Sequence, residues 1–262
     1  MTRSFWLSDA CLIAVQSALV ALPRRGAPRP VARLVDRLAG RGWALVPLGS
    51  IVAVVVAIGI ASATARGLTW LALLAVPPLA AAALAVAMHG ARPALALLVV
   101  PLFALAWAAR DSLAGQGAAV LLSALSCVTL GVLLAAVAPH GWLKVGIVAM
   151  ASVDAVLVGA QLLQPANDLL NAAAPPAQLP QLQRALFGDV LIGYGDLFIA
   201  GVFGALLAAE GRRQGRAALL TFALAACFDL LFLVLDTLPA TVPVALALLV
   251  TEYRGRQRSK RA

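Results

Sequence analysis

The sequence predicts an all-α membrane protein, a bundle of about nine crossing helices, and three observations carry that expectation. Of the 262 residues, 63% are hydrophobic and only 12% are charged, whereas ordinary soluble domains carry roughly 25% charged residues. Mean hydropathy is +0.97. Apolar stretches close to the ~20 residues that span a hydrocarbon core recur along the whole chain. Cys11, Cys127 and Cys227 stand singly in apolar stretches, without paired spacing or a nearby histidine cluster. They read as small core residues, and no metal, cofactor or disulfide framework is expected. The preference for Ala, Leu, Val and Arg over Ile and Lys points to a GC-rich prokaryotic genome.

The nine candidate helices cover roughly 5–22, 43–63, 68–88, 93–109, 118–138, 142–163, 187–209, 217–235 and 238–250. Asp9 and Gln16 interrupt the first, which also lacks a small-x-small cleavage pattern before Pro23 and so does not read as a leader. The ninth has about two-thirds of the usual spanning length. Alternate loops of a nine-helix chain fall on opposite sides, so the basic residues test the count. One side collects Arg24, Arg25, Arg29, Arg33, Arg37, Arg41, Arg92, Lys144, Arg212, Arg213, Arg216, Arg254, Arg256, Arg258, Lys260 and Arg261, sixteen in all, and the other only Arg3, Arg66, Arg110 and Arg184. Basic residues accumulate on the cytoplasmic side, which places the N-terminus outside and the C-terminus in the cytoplasm of a multi-pass plasma-membrane protein. The formal charge of +9 then reflects topology and the anionic surface of the lipid bilayer, not nucleic acid.

Two regions follow. Residues 1–141 hold helices one to five and the basic cytoplasmic loop 23–42; residues 142–262 hold helices six to nine, the external connection 164–186 and the basic tail. Paired prolines and Asn and Gln residues prevent 164–186 from forming one continuous helix, with a short amphipathic piece near 181–186.

Carboxylates inside a hydrocarbon span are costly and mark functional positions by default. Asp154 lies about nine residues before the outer end of the sixth helix and Asp196 about nine residues after the outer start of the seventh, so both are expected roughly 13 Å deep from the same surface. Gly188, Gly193, Gly195, Gly201 and Gly204 would let those two helices approach closely. Two aspartates in contact at low dielectric share one proton, the arrangement with which aspartic proteases activate water. Gln161 falls two turns beyond Asp154 on the same face. Asp229, in the eighth helix, has no motif around it and reads as a packing residue. His89 and His140 lie in short loops, where capping or exposure accounts for them.

With these residues in hand, the chain resembles the presenilin and signal-peptide-peptidase family of intramembrane aspartyl proteases. SVDAVLVGA (152–160) is similar to that family's sixth-helix site, GYGDLFIAG (193–201) to its Gly-x-Gly-Asp site in the seventh, and LPATVPVAL (238–246) to its Pro-Ala-Leu segment before the ninth. The resemblance implies catalytic roles for Asp154 and Asp196. It implies that Gly193, Tyr194 and Gly195, together with Leu238, Pro239, Ala240, Thr241 and Pro243, meet a substrate that is itself a transmembrane helix. Val153 replaces the family's tyrosine, and Thr241 replaces the leucine of Pro-Ala-Leu.

Three other readings are weaker on the residues. A potassium filter would need a Thr-Val lead-in, where Leu191 and Ile192 stand, and leaves Asp154 without a role. A prepilin-peptidase site would carry a lysine where Phe198 stands. A transporter, or an inactive protease homologue, would use the carboxylates as a proton or polar site.

Overall fold

The computed structural model describes residues 3–24, 61–160, 179–235 and 237–259. The basic loop and second predicted helix, apart from their ends, together with Gln161 and most of the 164–186 connection, lie outside the described residues. The described chain is mostly helical. Helix α1 spans Arg3–Ala21, α2 Ala61–Ala82 with a π turn at Ala83–Ala87, α3 Val99–Ala108 after a 3-10 turn, and α4 Leu113–Val137. Helix α5 spans His140–Gly159, α6 Tyr194–Ala209, α7 Gln214–Asp229 with a 3-10 extension, and α8 Val242–Ser259. Among the described residues, five helical stretches are long and apolar enough to cross a membrane: Ser4–Ala21, Arg66–Ala87, Leu113–Val137, His140–Gly159 and Gln214–Leu233.

Local chemistry sets several of these boundaries. The Ser112 hydroxyl accepts the Gly115 N–H at 3.2 Å and caps α4. Pro139 separates α4 from α5, because its ring cannot continue a helix that runs into it. Inside α2, Pro77 and Pro78 remove two ladder donors and a π turn follows. The Thr129 hydroxyl of α4 donates to the Leu79 carbonyl at 2.7 Å in this disturbed stretch.

Helix α6 is the centre of the bundle. Leu197, Phe203, Leu206 and Leu207 have no exposed surface, as expected of a helix that is apolar on every side. Its 16 residues make a rod of about 24 Å, short of the ~30 Å hydrocarbon core. A hairpin precedes it, with β1 (Arg184–Phe187) antiparallel to β2 (Val190–Gly193). The described chain is otherwise helical, as expected, and one boundary is corrected: the seventh helix begins at Tyr194 instead of near 187. Non-helical backbone at this depth requires protein around it. Here Gln116 of α4 accepts the Gly188 N–H at 2.8 Å, and Ser4 of α1 donates to Asp189 at 3.0 Å. Gly188 turns the chain with φ +57° against Ser8, a position closed to any side chain.

The glycines also serve different neighbours from those expected. A Cβ on Gly201 would lie 2.6 Å from the Cys127 carbonyl oxygen of α4, and one on Gly204 would lie 2.6 Å from the Leu19 and Val20 oxygens of α1. They therefore seat α6 against α4 and α1, while α5 touches it more lightly.

Candidate active site

Three separate segments meet around the two predicted carboxylates. Asp196 occupies the first turn of α6, and its Oδ2 accepts the Gly193 N–H at 3.0 Å. The carboxylate thus closes the helix N-terminus on which it sits and is held in one orientation. Asp154 projects from α5, and each of the two carboxyls lies within the other's electrostatic reach. The hairpin displaces the helix start on which the equal-depth expectation rested.

The segment before α8 closes on the other aspartate. The Thr241 hydroxyl donates to Asp154 Oδ2 at 2.6 Å, a short hydrogen bond. Thr241 is 3% exposed, so the bond is shielded from competing solvent. The residue that departs from the resembled motif supplies a contact that leucine could not make. Val153, the other departure, is exposed and turned away from the core. Leu238, Pro239 and Ala240 are half-buried in the same connection, and Pro243 is buried in the first turn of α8.

Gly193, Tyr194 and Gly195 line a different surface. They border an apolar groove of about 480 Å³, whose opposite wall is formed by α2 residues including Leu68, Leu71 and Leu79. None of residues 238–243 lines this groove. Tyr194 is also an anchor, since its hydroxyl pairs with the Ser126 hydroxyl of α4 at 2.7 Å. Gly195 has open space where a side chain would begin.

Two polar residues of α1 escaped sequence reasoning because they seemed only to weaken a span. Gln16, 1% exposed, donates to the Ala240 carbonyl at 3.0 Å and reaches the Asp196 carbonyl at 3.4 Å. Asp9 and Asp229, the latter at the end of α7, are both buried and interact electrostatically, and Asp229 Oδ2 has no hydrogen-bond partner. Asp229 therefore has a carboxyl neighbour on α1.

The opposite ends of α5, α6 and α8 are tied by charge. Lys144 lies 2.6 Å from Glu210 and 3.2 Å from Glu252, while Arg212 bonds Glu210, Glu252 and the Thr251 carbonyl. Burial pushes the Glu252 carboxyl up, but Lys144 and Arg212 outweigh it and hold it below the usual glutamate value. His140 approaches Glu210 at 4.0 Å, and His89 pairs with Gln214 at 3.3 Å. Both histidines have polar partners away from the aspartates.

No protein-family model matches the chain, and no curated protein or solved structure matches it.

Proposed function

We propose that the chain is an intramembrane aspartyl protease of the presenilin and signal-peptide-peptidase type, with nine spans, an external N-terminus and a cytoplasmic C-terminus. The observation that carries this reading is a shared set of contacts: Thr241 of the third motif bonds Asp154, and Gln16 bonds the carbonyls of both Ala240 and Asp196, which leaves the two carboxyls close enough to interact electrostatically. One carboxylate takes a proton from a water held between the pair. The protonated partner donates to the scissile carbonyl oxygen, so that hydroxide adds to the carbonyl carbon and a neutral gem-diol forms. Its collapse breaks the C–N bond as a proton passes to the leaving amine and the dyad recovers its starting proton count.

The substrate is a transmembrane helix of another membrane protein. Such a helix hides its amides in internal hydrogen bonds, so cleavage requires local unwinding and new partners for the released groups. The apolar groove beside Gly193–Gly195 offers a surface for its side chains, and the proline-interrupted segment 238–243 is irregular backbone beside Asp154. Purified protein in liposomes is expected to cut a transmembrane reporter within its span, and a non-hydrolysable isostere carrying a hydroxyl at the scissile carbon should compete. Absence of any new terminus across a broad helix panel would refute the protease reading.

Thr241 gives a graded version of that test. Thr241→Val keeps the shape and removes the donor, a loss of about 1.5–3 kcal/mol for a hydrogen bond to a charged group. Cleavage should fall about 10- to 100-fold, while Thr241→Ser should stay within a few-fold of wild type. Equal activity of the valine variant would show that the bond does not orient Asp154.

One observation favours the second reading, a transporter or non-proteolytic homologue that uses its carboxyls as proton sites. Asp9 and Asp229 are a second set of neighbouring buried carboxyls in the same bundle. Under that reading liposomes show proton flux, lost in Asp229→Asn, and no cleavage.

A further inference from the structure

We propose that Gln16 is a positioning residue that clamps the segment before α8 onto the first turn of α6 and thereby sets the separation of Asp154 and Asp196. The inference rests on the protease reading for its catalytic consequence, but its geometric content stands apart from it.

A glutamine in the middle of an apolar helix is unfavourable unless its amide finds partners. Gln16 is 1% exposed, and its Nε2 faces two backbone carbonyls, Ala240 at 3.0 Å and Asp196 at 3.4 Å. The amide nitrogen has two N–H groups, one for each. The reversed amide would set its oxygen against two carbonyl oxygens, so the hydrogen-bond environment itself fixes the orientation.

The identity of the two acceptors gives the contact its meaning. One belongs to the residue whose side chain is a proposed catalytic carboxylate. The other immediately precedes Thr241, which holds Asp154 Oδ2 at 2.6 Å. A single side chain therefore links both halves of the aspartate pair through their backbones. Helix α1 is a firm base for it, because Gly204 of α6 lies flush against the Leu19 and Val20 backbone. With α1 and α6 seated on each other, the freer partner is the 238–241 connection. Loss of the Gln16 bond releases that connection and the Thr241 hydroxyl it carries.

The test uses the full chain in liposomes and two independent readouts. In a background with Cys11, Cys127 and Cys227 replaced by alanine, Asp154→Cys with Thr241→Cys should form a disulfide readily under mild oxidation. Adding Gln16→Met, which keeps the length and removes both donors, should slow that bridging at least about five-fold. In the active chain, Gln16→Met should lower kcat about 10- to 100-fold with KM within about three-fold, and displace the pH profile of kcat, because the spacing of the pair governs its titration. Gln16→Asn, too short to span both carbonyls, should show the same changes in weaker form and guards against failure of the methionine variant to fold. Ser17→Ala, one residue along α1, should match wild type in both readouts. Unchanged bridging in Gln16→Met or Gln16→Asn overturns the clamp. Slowed bridging with an unmoved pH profile overturns the link to the pair. If the wild type cleaves nothing, the protease reading fails, and the bridging rate alone decides whether Gln16 clamps.

Discussion

Asp154→Asn and Asp196→Asn are each expected to lower cleavage of a transmembrane reporter about 10³-fold or more, and the double variant is expected to be no worse than either alone. General acid–base catalysis contributes about 10²–10⁴-fold per positioned group, but in the proposed mechanism these two carboxyls act as one unit that shares a proton. Removal of either therefore removes the unit, and the effects do not multiply. The amide is isosteric and still offers an oxygen to the Gly193 N–H or the Thr241 hydroxyl, so the fold should survive with both hydrogen bonds in place. Thermal unfolding within a few degrees of wild type, together with lost cleavage, is the expected pairing. Two singles with partial, multiplying defects would mean that the carboxyls work separately, and full activity in either would exclude the shared-proton mechanism.

The parts of this site that were legible in sequence are those governed by cost. An aspartate in an apolar run is conspicuous because burying it is expensive, and that singled out Asp154 and Asp196 before any coordinates. The hairpin was missed for the opposite reason. In RALFGDVLIG, two apolar runs flank Gly188-Asp189, a two-residue turn signature, but the same run also serves as the start of a long apolar helix. Periodicity does not separate a buried strand from a buried helix over so few residues. Tertiary contacts from Ser4, Ser8 and Gln116 decide between them. Gln16 and Asp9 carried the right signal under the wrong interpretation. Each was a costly polar residue in a span, counted against the helix, when Gln16 has partners on α6 and in the segment before α8 and Asp9 has a carboxyl neighbour on α7.

The helix partners of the glycines were beyond sequence for a geometric reason. A small residue announces close approach without naming what approaches. Gly201 and Gly204 lie on consecutive turns of α6, and the face on which each falls relative to α4, α5 or α1 depends on the azimuth of the whole helix. That azimuth is fixed by the Tyr194–Ser126 bond at one end and the buried leucines along the rest. The outcome is a division of labour: α4 and α1 hold α6 in place, while α5 touches it more lightly.

Gly201→Ala should force α6 away from α4 and destabilise the bundle. Its Cβ would stand 2.6 Å from the Cys127 carbonyl oxygen, and reciprocally a Cβ on Gly131 would stand 2.5 Å from the Gly201 oxygen. Both obstacles are backbone, so no rotamer change relieves them, and α6 and α4 must separate along their closest contact. Overpacking of a tight interior costs about 1–3 kcal/mol and occasionally more, against which the better helix propensity of alanine returns at most about 1 kcal/mol. A loss near 3 kcal/mol is expected, read as a clear drop in unfolding temperature in detergent. Cleavage should fall with it, because Asp196 lies five residues earlier on the displaced helix. Gly195→Ala supplies the contrast. Nothing lies within 4 Å of its added Cβ, so stability should hold or rise slightly, while cleavage drops if the groove beside Gly193–Gly195 receives substrate. Gly215→Ala, equally unobstructed but on α7, should change neither. If Gly201→Ala unfolds no earlier than Gly215→Ala, the close seating of α6 on α4 is wrong, and with it the account of how Asp196 is held.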